Sequence, residues 1–136
     1  MRLSKFLLAT LREAPSDAET QSHKLMIRAG MIRRIAAGIY NFLPTGLRVF
    51  KKVENIIREE MNAIGAQELL LTSLQSPEVW KKTGRWDDKV VDVWFKTKLK
   101  NGGELGLANT HEEVLAALMT HHISSFKDLP VFAYQF

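Results

Sequence analysis

The sequence predicts an α+β fold, helices and short strands with at least one antiparallel hairpin among them. Three stretches carry that prediction. From Leu47 to Ile64 the apolar residues Leu47, Phe50, Val53, Ile57, Met61 and Ile64 recur at steps of three and four, while Arg48, Lys51, Lys52, Glu54, Arg58 and Glu59 fill the opposite helical face. Past Gly65 the run Glu68 to Thr72 is too short for a helix and too continuously apolar for an exposed strand, so a strand buried on both faces is expected. Asn101-Gly102, between the aromatic and β-branched run Val90 to Leu99 and Glu104 to Leu107, signals a hairpin with a type I′ turn.

The other elements follow in chain order. Met1 to Ala14 mixes Leu3, Phe6, Leu7, Leu8 and Leu11 with Lys5, Arg12 and Glu13, as in a short packing helix or an arm. Ser16 with Glu19 makes a capping box for a helix that runs to about Ala29 and is closed by Gly30; His23 lies on it as a surface residue. Met31 to Leu43 is rich in isoleucine and aromatics and reads as strand or extended structure bent at Gly38. Pro44 and Gly46 break what precedes the long helix, Thr45 is its N-cap and Gly65 its left-handed end. Ser76-Pro77 starts a two-turn helix that Thr83-Gly84 stops. Thr110, with Glu113 in capping-box position, opens a helix whose stripe is Val114, Leu115, Leu118, Met119, His122 and Ile123. Val131 to Phe136 reads as a strand whose open edge leads one to expect a fold incomplete at Phe136.

The bulk numbers bound the class. A chain of 136 residues, 46% hydrophobic and 25% charged, fits one globular domain with a real core. No apolar run nears the roughly 20 residues that span a bilayer, nor is there a signal-peptide core, so a cytoplasmic protein is expected. The absence of cysteine excludes disulfides and thiolate metal sites. A net charge of +4 tolerates a polyanion without implying one.

Polar chemistry is densest at Asn109-Thr110-His111-Glu112-Glu113. A capping box and the helix dipole account for Thr110 and Glu113 but not for Glu112, whose carboxylate is free to face a cleft and bind an ammonium group. From spacing alone, an ordinary helix start remains the stronger reading. His111-Glu112 begins like a zincin helix, but the second histidine position holds Leu115, and His121 and His122 point about 100° apart. Both facts argue against a zinc site. Trp80, Thr83, Gly84, Arg85 and Trp86 suit either ring stacking or the packed edge of a core, and the core is the better reading.

Taken together, Gly38-Ile39-Tyr40-Asn41-Phe42-Leu43-Pro44-Thr45-Gly46, then Arg48-Val49, Arg58-Glu59-Glu60-Met61, Trp80, Gly84-Arg85-Trp86 and Thr110-His111-Glu112-Glu113 closely resemble the amino-terminal part of bacterial-type prolyl-tRNA synthetase. The resemblance implies part of a class II aminoacyl-tRNA synthetase catalytic core, an antiparallel sheet flanked by helices, over residues 1–136. It makes Leu47 to Thr72 the family's first motif, with Leu47, Phe50, Val53, Ile57, Met61 and Thr72 candidates for a homodimer interface. It maps the family's Thr-x-Glu loop onto Thr110 and Glu112, which would hold the ammonium of proline, a cation with two N–H donors.

Two departures are visible: Thr72 and Asn109 stand where the family usually has prolines. By resemblance the complete enzyme uses ATP and Mg2+, with proline and tRNA(Pro), while this segment lacks the second and third motifs, the editing domain and the anticodon-binding domain. Without the arginines of those motifs, 136 residues alone are not expected to make prolyl-adenylate, and no residue here is a catalytic nucleophile. A threonyl-tRNA synthetase would need a zinc-ligating cysteine that is absent. A non-catalytic dimerisation or binding module is the alternative of another class.

Overall fold

The computed structural model describes residues 2–136. They form two compact units, Met1–Glu60 and Met61–Phe136.

The first unit opens with an arm, a single 3-10 turn at Leu3–Lys5 followed by extended chain with Leu7, Leu8 and Leu11 exposed. Of the two expectations for this stretch, the arm is realised; Met1 lies outside the described residues. Backbone and side-chain bonds hold it, because Leu11 N–H donates to Arg28 O at 2.9 Å and the Arg33 guanidinium donates to the carbonyls of Ala9 and Ile27. Helix α1, Gln21–Arg28, is capped by Thr20, whose hydroxyl accepts the His23 amide. The expected Ser16–Glu19 capping box does not form. Instead the Ala18 amide closes a tight turn on Pro15 O, and Ala18 is buried beside Ile27 and Ile32 as the core of this unit. That turn occupies the residues a helix beginning at Ser16 would need.

Strands β1, Ile32–Ala36, and β2, Ile39–Phe42, then make an antiparallel hairpin, with Gly38 at φ +74° in its turn. Helix α2 runs Pro44–Ala63. Its start corrects the expected cap: Thr45 lies inside the first turn and its hydroxyl donates to Gly30 O at 3.2 Å, while Pro44 takes the first position, where a missing N–H is harmless. Gly46 is no breaker either. It is buried in the helix because a Cβ there would lie 2.1 Å from Met31 O. The predicted stripe is real but faces solvent, with Leu47, Phe50, Val53 and Ile57 between 41% and 52% exposed. Glu54 and Arg58, on the polar face, pair at 2.9 Å.

In the second unit, Gly65 (φ +80°) ends α2 as expected, its N–H bonded to Asn62 O. The strand that follows is β3, Gln67–Glu68, two residues long and paired in parallel with β7, Ala133–Tyr134. The expectation of a strand buried on both faces over Glu68 to Thr72 is corrected here. Beyond Leu69 the chain leaves the ladder, and Leu70 is 90% exposed. β7 is likewise shorter than the run Val131 to Phe136.

Strands β4, Leu74–Gln75, β5, Lys96–Lys98, and β6, Glu104–Leu107, form an antiparallel sheet in the order β4-β6-β5. The β5–β6 hairpin is as predicted, but its turn is not type I′, since only Gly102 (φ +86°) has positive φ. Gly102 N–H bonds to Leu99 O, Leu99 N–H to Gly103 O, and Asn101 Oδ1 accepts Gly103 N–H, which is a three-residue loop ending in a left-handed glycine. Val90 to Phe95 is turn and irregular chain rather than strand. Helix α3, Pro77–Lys82, has the expected Ser76 cap and Gly84 stop.

Trp80 is wholly buried and meets Trp94 edge-on at 4.6 Å, with Trp86 a further 5.4 Å from Trp94. Gly106 has to be glycine there, because a Cβ would come within 3.0 Å of both Trp86 and Trp94. Helix α4, Glu112–Met119, half-buries Val114, Leu115, Leu118 and Met119. His122 is exposed beyond its end, which removes it from the expected stripe.

Candidate functional site

Within the second unit, the ends of β3 and β7 and the first turn of α4 enclose a cavity of about 290 Å³. Leu69, Leu71, Leu115 and Ala133 supply apolar walls; Thr110, His111, Glu112, Tyr134 and Gln135 supply polar ones. The size is at the small end of ligand pockets, which begin at about 300 Å³, and suits a small ligand. Sequence analysis placed Thr110 and Glu112 together, and both line this space.

The neighbouring residues divide the labour. Glu112, first in α4, is exposed, makes no hydrogen bond or ion pair among the described residues and lines the cavity, at a helix start whose dipole favours its charge. Glu113 is turned the other way and half-buried, its Oε1 accepting from Arg85 Nη1 at 2.5 Å. The expected Thr110–Glu113 capping box is therefore absent: His111 occupies the cap position without a side-chain bond, and Glu113 is committed to Arg85. With Thr110 released from capping, its hydroxyl is available to a ligand. A carboxylate-bearing residue and a hydroxyl-bearing one thus line one space that also has an apolar wall.

The backbone under this site is held from below. Ala108 N–H donates to Ser73 O at 2.7 Å, and His111 Nε2 lies 3.2 Å from Thr72 O. Gln75, 2% exposed, donates from Nε2 to Thr110 O at 3.2 Å and accepts the Trp80 indole N–H at 2.7 Å. Sequence reasoning missed Gln75, for a glutamine beside a helix cap carries no pattern of its own. It also missed Gln135, whose side chain accepts Leu71 N–H at 3.1 Å on the cavity wall.

The other candidates separate from the site. Trp80 and Trp86 belong to the packed edge of a core, with Trp94 as its third member. His121 and His122 are exposed in the turn after α4. A second cavity of about 300 Å³, lined by Leu118, Met119, Ile123 and Val131, contains Asp128, but that carboxylate already accepts the Ser124 and Ser125 amides.

Comparison with solved structures defines the class of fold. The chain superposes on threonyl-tRNA synthetase from Cryptosporidium parvum Iowa II, described as its RNA binding domain, with a TM-score of 0.67 at 22% identity, covering 76% of this chain and 25% of that one. Prolyl-tRNA synthetase from Cryptosporidium parvum, complexed with L-proline and AMP, gives 0.66 at 13% identity over 84% of this chain and 22% of that one. The Giardia lamblia prolyl-tRNA synthetase in complex with prolyl-adenylate gives 0.66 at 20% identity over 77% and 22%. The fold is that of aminoacyl-tRNA synthetase domains.

Sequence similarity selects among them. The chain is 52% identical to the proline–tRNA ligase of Polynucleobacter necessarius over 135 residues and 50% identical to that of Burkholderia mallei over 136, each match covering 99% of this chain. It spans 23% of the length of those relatives. The resemblance to bacterial-type prolyl-tRNA synthetase that the motifs carried thus extends along essentially the whole chain. No family model matches it.

Proposed function

We propose that residues 1–136 are the amino-terminal part of the catalytic domain of a proline–tRNA ligase. The complete enzyme joins proline to ATP as prolyl-adenylate and passes the prolyl group to tRNA(Pro) in the cytoplasm. What supports this reading most is the pairing of Thr110 and Glu112 at one small cavity, in a chain half identical to proline–tRNA ligases along its length.

In this reading the proline ammonium donates one N–H to the Glu112 carboxylate and one to the Thr110 hydroxyl, while the ring lies against Leu69, Leu71, Leu115 and Ala133. That holds the substrate carboxylate for in-line attack on the α-phosphate, so the contribution of these residues is positioning. ATP is a substrate of the complete enzyme and Mg2+ accompanies it. Among the described residues no cluster of three histidine or carboxylate side chains could hold a metal ion, and no step is assigned to Mg2+ through them. The exposed α2 stripe, Leu47, Phe50, Val53 and Ile57, with Met61 and Thr72, is assigned to a homodimer interface.

The test is proline-dependent ATP–pyrophosphate exchange by the full-length protein and its Glu112→Gln variant. Loss of the charge-assisted bond, worth about 1.5 to 3 kcal/mol, raises the KM for proline and leaves that for ATP in place. An unchanged proline requirement sinks the assignment, and robust exchange by residues 1–136 alone would refute the need for the arginine motifs.

A further inference from the structure

We infer that Gln75 is a positioning residue for the amino-acid site, setting the Thr110–Glu112 backbone from beneath; this rests on the reading of Thr110 and Glu112 as proline ligands. The argument starts from the indole of Trp80. An indole N–H can only donate, so the Gln75 atom 2.7 Å away must be its carbonyl oxygen. That fixes the amide's orientation and leaves Nε2 to donate to Thr110 O at 3.2 Å.

The lower part of this relay is buried among packed side chains. Trp80 is fully buried and locked edge-on against Trp94, and Gln75 is 2% exposed at the end of β4, opposite Gly106 in β6. The Thr110 carbonyl is thereby tied to the centre of the core while its side chain lines the cavity. Because the peptide group joins Thr110 O rigidly to the His111 nitrogen, the bond orients the entry to α4 and with it Glu112, two residues on. The other supports of the loop, Ala108 to Ser73 and His111 to Thr72, lie on either side, so Gln75 is the one that acts at the ligand-bearing residue itself.

A purely structural glutamine and a positioning one differ in what their loss does. The full-length enzyme carrying Gln75→Glu keeps an acceptor for Trp80 but sets a carboxylate oxygen against Thr110 O. It should raise the KM for proline about tenfold, with kcat within about twofold and the KM for ATP unchanged. Gln75→Met, close in size and uncharged, removes the donor to Thr110 O together with the acceptor of the Trp80 N–H, and reads the same KM split if the glutamate variant does not fold. Glu112→Gln is run beside them. If it raises the proline KM and the folded Gln75 variants do not, or if they move the ATP and proline KM equally, the inference about Gln75 is overturned while the site stands. If Glu112→Gln has no effect, it is the site assignment that fails.

Discussion

The Arg85 guanidinium meets Glu113 Oε1 at 2.5 Å, while Glu113 Oε2 is buried with no partner. The two residues are unequally placed: the arginine side chain is 51% exposed and the carboxylate 10%. Removing Arg85 strands a buried charge, whereas removing the charge at Glu113 returns an arginine to water. Arg85→Ala should therefore destabilise by about 1 to 2 kcal/mol, discounted for the exposed partner, and Glu113→Gln by less. Urea unfolding of the two variants gives the order directly, and the reverse order would mean that the pair holds α4 by geometry rather than charge.

Helix propensity and packing make opposite forecasts at Gly46. Alanine in a helix interior is favoured over glycine by about 1 kcal/mol. Here the added Cβ would fall 2.1 Å from Met31 O and 2.9 Å from its carbonyl carbon, both backbone atoms that cannot step aside. Gly46→Ala should lower stability by about 2 kcal/mol or more, seen as an earlier thermal transition. Gly65→Ala, with open space but φ +80°, should cost only about 1 kcal/mol. Equal effects would show that the α2 start relaxes away from β1.

Thr110 and Glu112 should contribute unequally to proline affinity. A neutral hydroxyl bond is worth about 1 kcal/mol and a charged one about twice that. Thr110→Val, which keeps the shape, should raise the proline KM about fivefold, less than Glu112→Gln does. A valine variant as impaired as the glutamine one would shift the main recognition from charge to the hydroxyl.

On α2, Ile57→Asp places a charge in the middle of the exposed stripe without touching Glu54 or Arg58. A dimer seam there loses at least about 2 kcal/mol from such a buried charge. In the proposed homodimer, this variant should shift sedimentation of the full-length protein from dimer toward monomer. An unmoved dimer would place the seam on another surface.

The sequence was readable where one residue answers to one local rule. Ser76 with Pro77, and the positive-φ glycines Gly30, Gly65 and Gly84, stand where their chemistry requires. Reading failed at Ser16, where the capping-box spacing with Glu19 gave way to the turn that buries Ala18, and the helix is capped by Thr20 instead. It also failed for Leu70, since hydrophobicity says that a surface favours cover but not that this chain supplies it. The site divided in the same way. Thr110 and Glu112 were visible through a family pattern, while Gln75 acts through a tertiary contact 35 residues distant that no local spacing encodes.

The parallel pairing of β3 with β7 also has a temporal side. Glu68 and Tyr134 are 66 residues apart, and the chain just past β3 and the strand β7 carry two walls of the cavity. Closing so long a loop is entropically costly and slow beside the β5–β6 hairpin, whose partners are close in sequence. The aromatic core around Trp80 draws on Trp86, Trp94 and Gly106, all earlier in the chain, and needs nothing from β7. The cavity beside Thr110 and Glu112 does need it, so in a chain made from its amino terminus the scaffold precedes the completed cavity.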